Sequence, residues 1–183
     1  MKSPLKFSYI FALVYIILKL IAFNMGKSTE LFAPLILVNI LLVLMAILFG
    51  LKLHRKKNPD SDDHFVTNIK YCMRSASMYA LLIAVFVMVY YSVIDRDFTA
   101  KIIDNQFSEI TKEDFEEMKK KDPDMLRDKT IDDYKKLKRE EMELFTSPFI
   151  TTTMTLMGLM FLSLFYSIII ALAWPKFLNK VMM

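Results

Sequence analysis

The stretch from Asp95 to Glu143, DRDFTAKIIDNQFSEITKEDFEEMKKKDPDMLRDKTIDDYKKLKREEME, holds 16 of the 20 acidic residues in this chain. It separates two runs apolar enough to cross a bilayer, Ser75 to Ile94 and Phe149 to Ala173. With 12 basic residues of its own the stretch carries a charge of −4, and the rest of the 183-residue chain, with 12 basic and 4 acidic residues, carries +8. The modest net charge of +4 therefore hides two opposed populations, and the chain reads as a membrane protein interrupted once by a long polar segment.

Working outward, two more runs lack Asp and Glu, Phe7 to Phe23 and Phe32 to Leu51. All four runs are 17 to 25 residues long, and about 20 residues at ~1.5 Å per residue cross roughly 30 Å of hydrocarbon. Lipid offers no hydrogen-bond partners, so a span must be a helix or part of a closed barrel, and the absence of period-two alternation leaves helices. Four spans return the chain to the side on which it starts. Lys2, Lys6, Lys52, Arg55, Lys56, Lys57, Lys70, Arg74, Lys176 and Lys180 then share that side with Asp60, Asp62 and Asp63, while the connection between spans one and two holds only Lys27 and Glu30. By the positive-inside rule both termini are expected in the cytoplasm and the acidic segment outside it.

The expected fold is all-α: an integral membrane four-helix bundle with a helical extracytoplasmic insertion between spans three and four. Residues 1–94 would hold spans one to three with their basic connection, 95–147 the charged helical insertion, and 148–183 the fourth span and cytoplasmic C-terminus. The first span also resembles the front of a secretory signal. Its length, the interruption at Lys19 and the lack of a small-x-small site in Phe23-Asn24-Met25-Gly26 make a retained anchor the expectation. Cys72 is the only cysteine, so no intrachain disulfide can brace the insertion.

Local signals refine this layout. Pro34 falls in the first turn of span two, where a missing N–H costs little, and Gly50 with the basic group His54 to Lys57 marks its end. Asn58-Pro59-Asp60-Ser61 reads as a turn, with Ser61 or Asp60 capping a third helix whose residues 64–74 precede the membrane. Phe7, Tyr9, Phe23, Phe32, Tyr90, Tyr91, Phe149 and Trp174 stand where membrane interfaces are expected. Within the insertion, Thr111-Lys112-Glu113-Asp114 and Thr130-Ile131-Asp132-Asp133 are helix-start signatures, and Asp122-Pro123-Asp124 is a stop. Ile131, Tyr134, Met142 and Phe145 recur on one face of the second helix, for which Phe98, Ile102, Ile103, Phe107 and Ile110 supply a partner. A small helical cap is expected; the competing reading of so charged a segment is disorder. Pro148 allows either a clean restart or a kink at the last span.

Small residues recur at four-residue spacing in one half of three spans: Ala46 and Gly50; Ala76, Ala80 and Ala84; Ser163, Ser167 and Ala171. Such stripes let membrane helices approach closely. In the other half, Lys19, Asn39, Tyr90, Thr151, Thr152, Thr153 and Thr155 share a depth within roughly 10 Å of the far interface, and together could line a polar site. Each has a plainer role: Lys19 extending its amine to the headgroups, Asn39 bonding between helices, the threonines bonding back to the preceding turn, and Tyr90 anchoring at the interface. The plainer roles are the expectation for each residue singly.

Enzyme chemistry is not expected. With three glycines no phosphate-binding loop can be built, and neither a nucleophile elbow nor a histidine-glutamate zinc motif occurs. Asp60, Asp62, Asp63 and His64 form the sole cluster of acids and histidine, and helix-start chemistry accounts for the acids. No metal or cofactor is expected, nor nucleic acid, because the basic residues lie where anionic headgroups attract them. The partners expected are the bilayer and an envelope protein.

The layout resembles a domain-of-unknown-function family of small four-span inner-membrane proteins, common in Bacteroidetes. The residues that carry the resemblance are His64-Phe65 before span three, Val93-Ile94-Asp95-Arg96-Asp97-Phe98 at its exit, the acid and lysine helix from Thr111 to Lys121, and Pro148 followed by Gly158. Arg96 stands where the family pattern has proline. The resemblance implies a bacterial inner-membrane location and contributes no catalytic or binding residue. The expected function is that of a non-enzymatic accessory or scaffold protein, whose cap docks an envelope partner through the face of Ile131, Tyr134, Met142 and Phe145. The alternative is a small transporter or lipid-binding protein using the polar site at Lys19, Asn39, Tyr90, Thr151, Thr152 and Thr155.

Overall fold

The computed structural model describes residues 5–58, 64–108, 116, 119 and 130–174. Four helices in it are long and apolar enough to cross a membrane: α1 (Lys6–Asn24), α2 (Phe32–Lys57), α3 (Phe65–Val89, continued by one π-helical turn, Tyr90–Ile94) and α6 (Pro148–Ala173). Two shorter helices, α4 (Phe98–Ser108) and α5 (Ile131–Phe145), lie between the third and fourth of these. Among the described residues there is no strand. The protein is thus a multi-pass membrane protein, an all-helical bundle with a helical insertion.

Local chemistry explains most boundaries. Past the end of α1, Lys27 N–H bonds to Ala22 carbonyl at 3.0 Å and Gly26 N–H to Phe23 carbonyl at 2.9 Å, the paired bonds of a Schellman stop. Gly26 supplies the left-handed conformation this needs, at φ 69°. Helix α2 runs on past Gly50, which is buried, and ends as expected in the basic group, at Lys57. Lys52, Arg55, Lys56 and Lys57 favour that extension, since cations near a C-terminus complement the helix dipole. The expected caps Asp60 and Ser61, with Pro59, lie outside the described residues; α3 instead begins at Phe65, with His64 extended at the N-cap position.

The insertion follows its turn signals where it is described. Thr130 accepts from Asp133 N–H at 3.2 Å, and Thr130 N–H donates to the Asp133 carboxylate at 3.0 Å, so the expected start of α5 is a full capping box. The signature at Thr111 and the stop at Asp122 lie outside the described residues. Pro148 takes the first position of α6, where its missing N–H is harmless, with Ser147 as the cap; of the two outcomes open at this proline the chain takes the clean restart.

Helix α3 is the most buried of the four spans and packs on each of the others, most extensively on α6. The small-residue stripes explain this pairing: Ala76, Ala80 and Ala84 on α3 and Ser163, Ser167 and Ala171 on α6 are all buried. Ala46 and Gly50 are buried on α2. Polar bonds tie the same helices together. Ser8 Oγ donates to the Ser75 carbonyl at 2.8 Å, and the Tyr79 hydroxyl donates to Asn39 Oδ1 at 2.6 Å. Toward the termini, Arg55 donates to Asn68 Oδ1, and the His54 ring stacks on Tyr71. Trp174 is buried within the bundle, where it continues the inward stripe of Ser163, Ser167 and Ile170.

Candidate functional site

The inward face of α1 repeats every three or four residues: Ser8, Ala12, Tyr15, Lys19 and Ala22. Lys19 falls in this stripe, so its side chain starts among the helices. It is 2% exposed, which overturns the expectation that its amine reaches the headgroups. The ammonium sits in a cage of four aromatic rings instead, with centroids at 4.9 Å (Tyr90), 5.1 Å (Phe98) and 5.3 Å (Phe32 and Tyr91). Its Nζ donates to the Tyr91 hydroxyl at 3.2 Å. Ring faces carry negative potential, so the cage substitutes for part of the hydration the cation has lost.

The π-helical turn at the end of α3 builds two walls of that cage. Asp95 N–H bonds back five residues to the Tyr90 carbonyl at 2.9 Å, a wider turn than the i→i−4 ladder, of a kind common at functional sites. Tyr90 and Tyr91 are successive yet both turn inward, 0% and 8% exposed, with rings edge to face at 5.0 Å. They are cage residues and not the interface anchors their position suggested. The Tyr90 hydroxyl donates to Asp95 Oδ2 at 3.2 Å and lies 3.3 Å from Ser28 Oγ. Asp95 is buried, and Lys101 Nζ reaches its other oxygen at 3.4 Å. Two ammonium groups, Lys19 and Lys101, thus face one carboxylate at this end of the bundle.

Beside the cage a cleft of about 550 Å³ opens between α2 and α6. Tyr15, Val87 and Tyr91 form its buried floor, Ile36 and Met154 are exposed at its sides, and Phe145 from the end of α5 also lines it. Phe32 and Tyr91 belong to both cage and cleft, so the two share a wall. Gly158 lines the cleft, and a Cβ added there would meet nothing within 4 Å. Volume and lining suit an apolar ligand: such sites hold roughly 300–1,000 Å³ and are mostly apolar with a few placed polar groups.

The residues singled out from the sequence divide between these features. Lys19 and Tyr90 belong to the cage; Asn39, Thr151 and Thr155 line the cleft. Thr152 faces α3, with its hydroxyl 3.6 Å from the Met88 sulfur. Asn39 bonds between helices as expected, while its residue also borders the cleft. Thr151 and Thr153 return hydroxyl bonds to the carbonyls of Thr146 and Phe149. On the cap, Ile131, Tyr134 and Met142 are half-buried and Phe145 is exposed. Helix α5 packs on α4, and Arg139 pairs with Asp104 between them. Among the described residues no three His, Cys, Asp or Glu side chains converge.

Sequence reasoning missed Tyr79, Asp95 and the cage roles of Tyr91, Phe32 and Phe98. For Tyr79 a signal existed: it lies on the face of Ala76, Ala80 and Ile83, in the helical register of a packed stripe. Comparison with known proteins adds a family match over nearly all of the chain. A family model described as "Protein of unknown function (DUF4199)" matches residues 6–176, from the start of α1 to just past α6. No curated protein and no solved structure matches.

Proposed function

Since the chain belongs to the DUF4199 family of proteins of unknown function, we propose, from the site itself, that it is a non-enzymatic lipid-binding protein of the bacterial inner membrane. The observation that carries this reading is the cleft of about 550 Å³ between α2 and α6, apolar along most of its lining. A side opening between two spans suits an acyl chain that enters from the bilayer, where no water need be crossed. Both termini lie in the cytoplasm in this proposal, because the basic residues gather at that end. The cage, cleft and insertion are then at the extracytoplasmic end.

Docking of an envelope protein by the cap has less to support it. Of the face of Ile131, Tyr134, Met142 and Phe145, the first three are half-buried within the chain itself, and Phe145 alone is exposed.

The test fills the cleft. In Gly158→Leu the new side chain projects into open space, so the bundle should fold as before while the cleft loses volume. A single-chain C16 amphiphile with a diazirine in its chain should label Tyr15, Val87 or Tyr91 of the wild-type protein, the floor residues that outer lipid cannot touch. Labelling there should drop at least severalfold in Gly158→Leu. Equal labelling of both proteins would rule the reading out.

A further inference from the structure

The cleft shares Phe32 and Tyr91 with the cage that holds Lys19. Resting on the lipid-binding reading, we infer that its occupant is a single-chain amphiphile with an anionic oxygen head, a long-chain carboxylate, drawn by Lys19 and held by hydrogen-bond donors on the cleft wall.

The donors come from the bonds already counted. Tyr79 donates to Asn39 Oδ1, so the donors that Asn39 brings to the cleft lining are those of its amide NH₂. Tyr91 accepts from Lys19, so its own O–H is free to donate. Thr155, on the opposite helix, also lines the cleft and carries a hydroxyl. Among the described residues neither an acidic nor a basic side chain lines it, so the charge that bears on a head group there is that of Lys19, across the shared Tyr91 ring.

The charges point the same way. Lys19 carries three N–H donors and makes one hydrogen bond among the described residues, to a neutral hydroxyl. Asp95 acts on it electrostatically but is bonded to Tyr90 and paired with Lys101. Two cations against one carboxylate leave a single positive charge, buried beside an apolar cleft where attraction is screened far less than in water. Because Tyr91 belongs to both cage and cleft, an anion bonded to its hydroxyl is one side chain away from that charge. At about 550 Å³ the cleft is of a size for one chain.

The experiment uses the full chain in phosphatidylcholine nanodiscs and three photoactivatable probes with the same C16 chain, ending in carboxylate, alcohol or trimethylammonium. Labelling is read at the cleft floor. The wild-type protein should take the carboxylate at a roughly ten- to hundredfold lower concentration than the alcohol, as expected for a hydrogen bond to a charged group, and should take the trimethylammonium probe least. Tyr91→Phe keeps the ring of the cage and should abolish the preference; Lys19→Met should do the same, and Tyr91→Phe decides if Lys19→Met fails to fold. Equal labelling by carboxylate and alcohol, still blocked by Gly158→Leu, would overturn the charge inference and leave the lipid-binding reading intact. Labelling by any head that Gly158→Leu does not reduce would overturn the lipid-binding reading itself. Displacement of the carboxylate probe by equimolar phosphatidylglycerol would overturn the single-chain assignment.

Discussion

Replacing Asn39 with leucine tests the geometry of the cleft wall through stability. Tyr79 is fully buried, and its hydroxyl is 2.6 Å from Asn39 Oδ1. Asn39→Leu removes the acceptor and leaves that hydroxyl without a partner, at a cost of about 1–3 kcal/mol. Membrane proteins fall toward the low end, because the separated helices also find partners; couplings across helices there average ~0.6 and reach ~1.7 kcal/mol. We therefore expect Asn39→Leu to lose about 1–2 kcal/mol. Tyr79→Phe should lose less, since it deletes the hydroxyl together with its need for an acceptor, and Asn39 borders the cleft where another donor can reach it. The double variant should be no less stable than Asn39→Leu alone, because replacing both partners by apolar groups is nearly neutral. The assay is equilibrium unfolding of the four proteins in mixed micelles under increasing dodecyl sulfate. If the two single losses simply add, within about 0.5 kcal/mol, the bond contributes nothing and the reasoning about which Asn39 atoms face the cleft fails with it.

Two further outcomes follow from the packing and the charges. Ser163 is fully buried and its hydroxyl oxygen has no partner among the described residues, so Ser163→Ala should leave the melting temperature in detergent unchanged or raised, whereas Ser163→Leu should lower it by overpacking worth about 1–3 kcal/mol; equal losses in both would contradict the stripe as a packing device. For orientation, single cysteines at Lys27→Cys, Lys57→Cys and Lys136→Cys, with Cys72 replaced by alanine, should react with an impermeant maleimide in intact spheroplasts at 27 and 136 but not at 57; labelling at 57 without 136 would invert the proposed topology.

Much of the fold was legible because its signals are local. Hydrocarbon thickness sets the span length, and runs without Asp or Glu announce it. The capping box at Thr130 and the restart at Pro148 each depend on a few consecutive residues. Three small-residue stripes could be read because a four-residue period fixes a helix face. Where a local reading failed, a longer-range contact decided: Lys19 turns into the aromatic cage instead of reaching the headgroups.

Sequence alone determined that the chain is an all-helical membrane protein, how many times it can cross and where its polar insertion lies. These follow from transfer of backbone and charge into lipid, a cost each segment meets by itself. The tertiary structure alone decided that Lys19 turns inward, that Phe32, Tyr90, Tyr91 and Phe98 close around it, and that Asn39 and Thr155 face one another across a cleft. In a membrane the lipid-facing and helix-facing sides of a span are both apolar, so hydropathy says little about how each helix is rotated or which helix is its neighbour. Rotation and neighbours are settled by close packing and buried hydrogen bonds between residues far apart in the chain, and the site is made of those contacts.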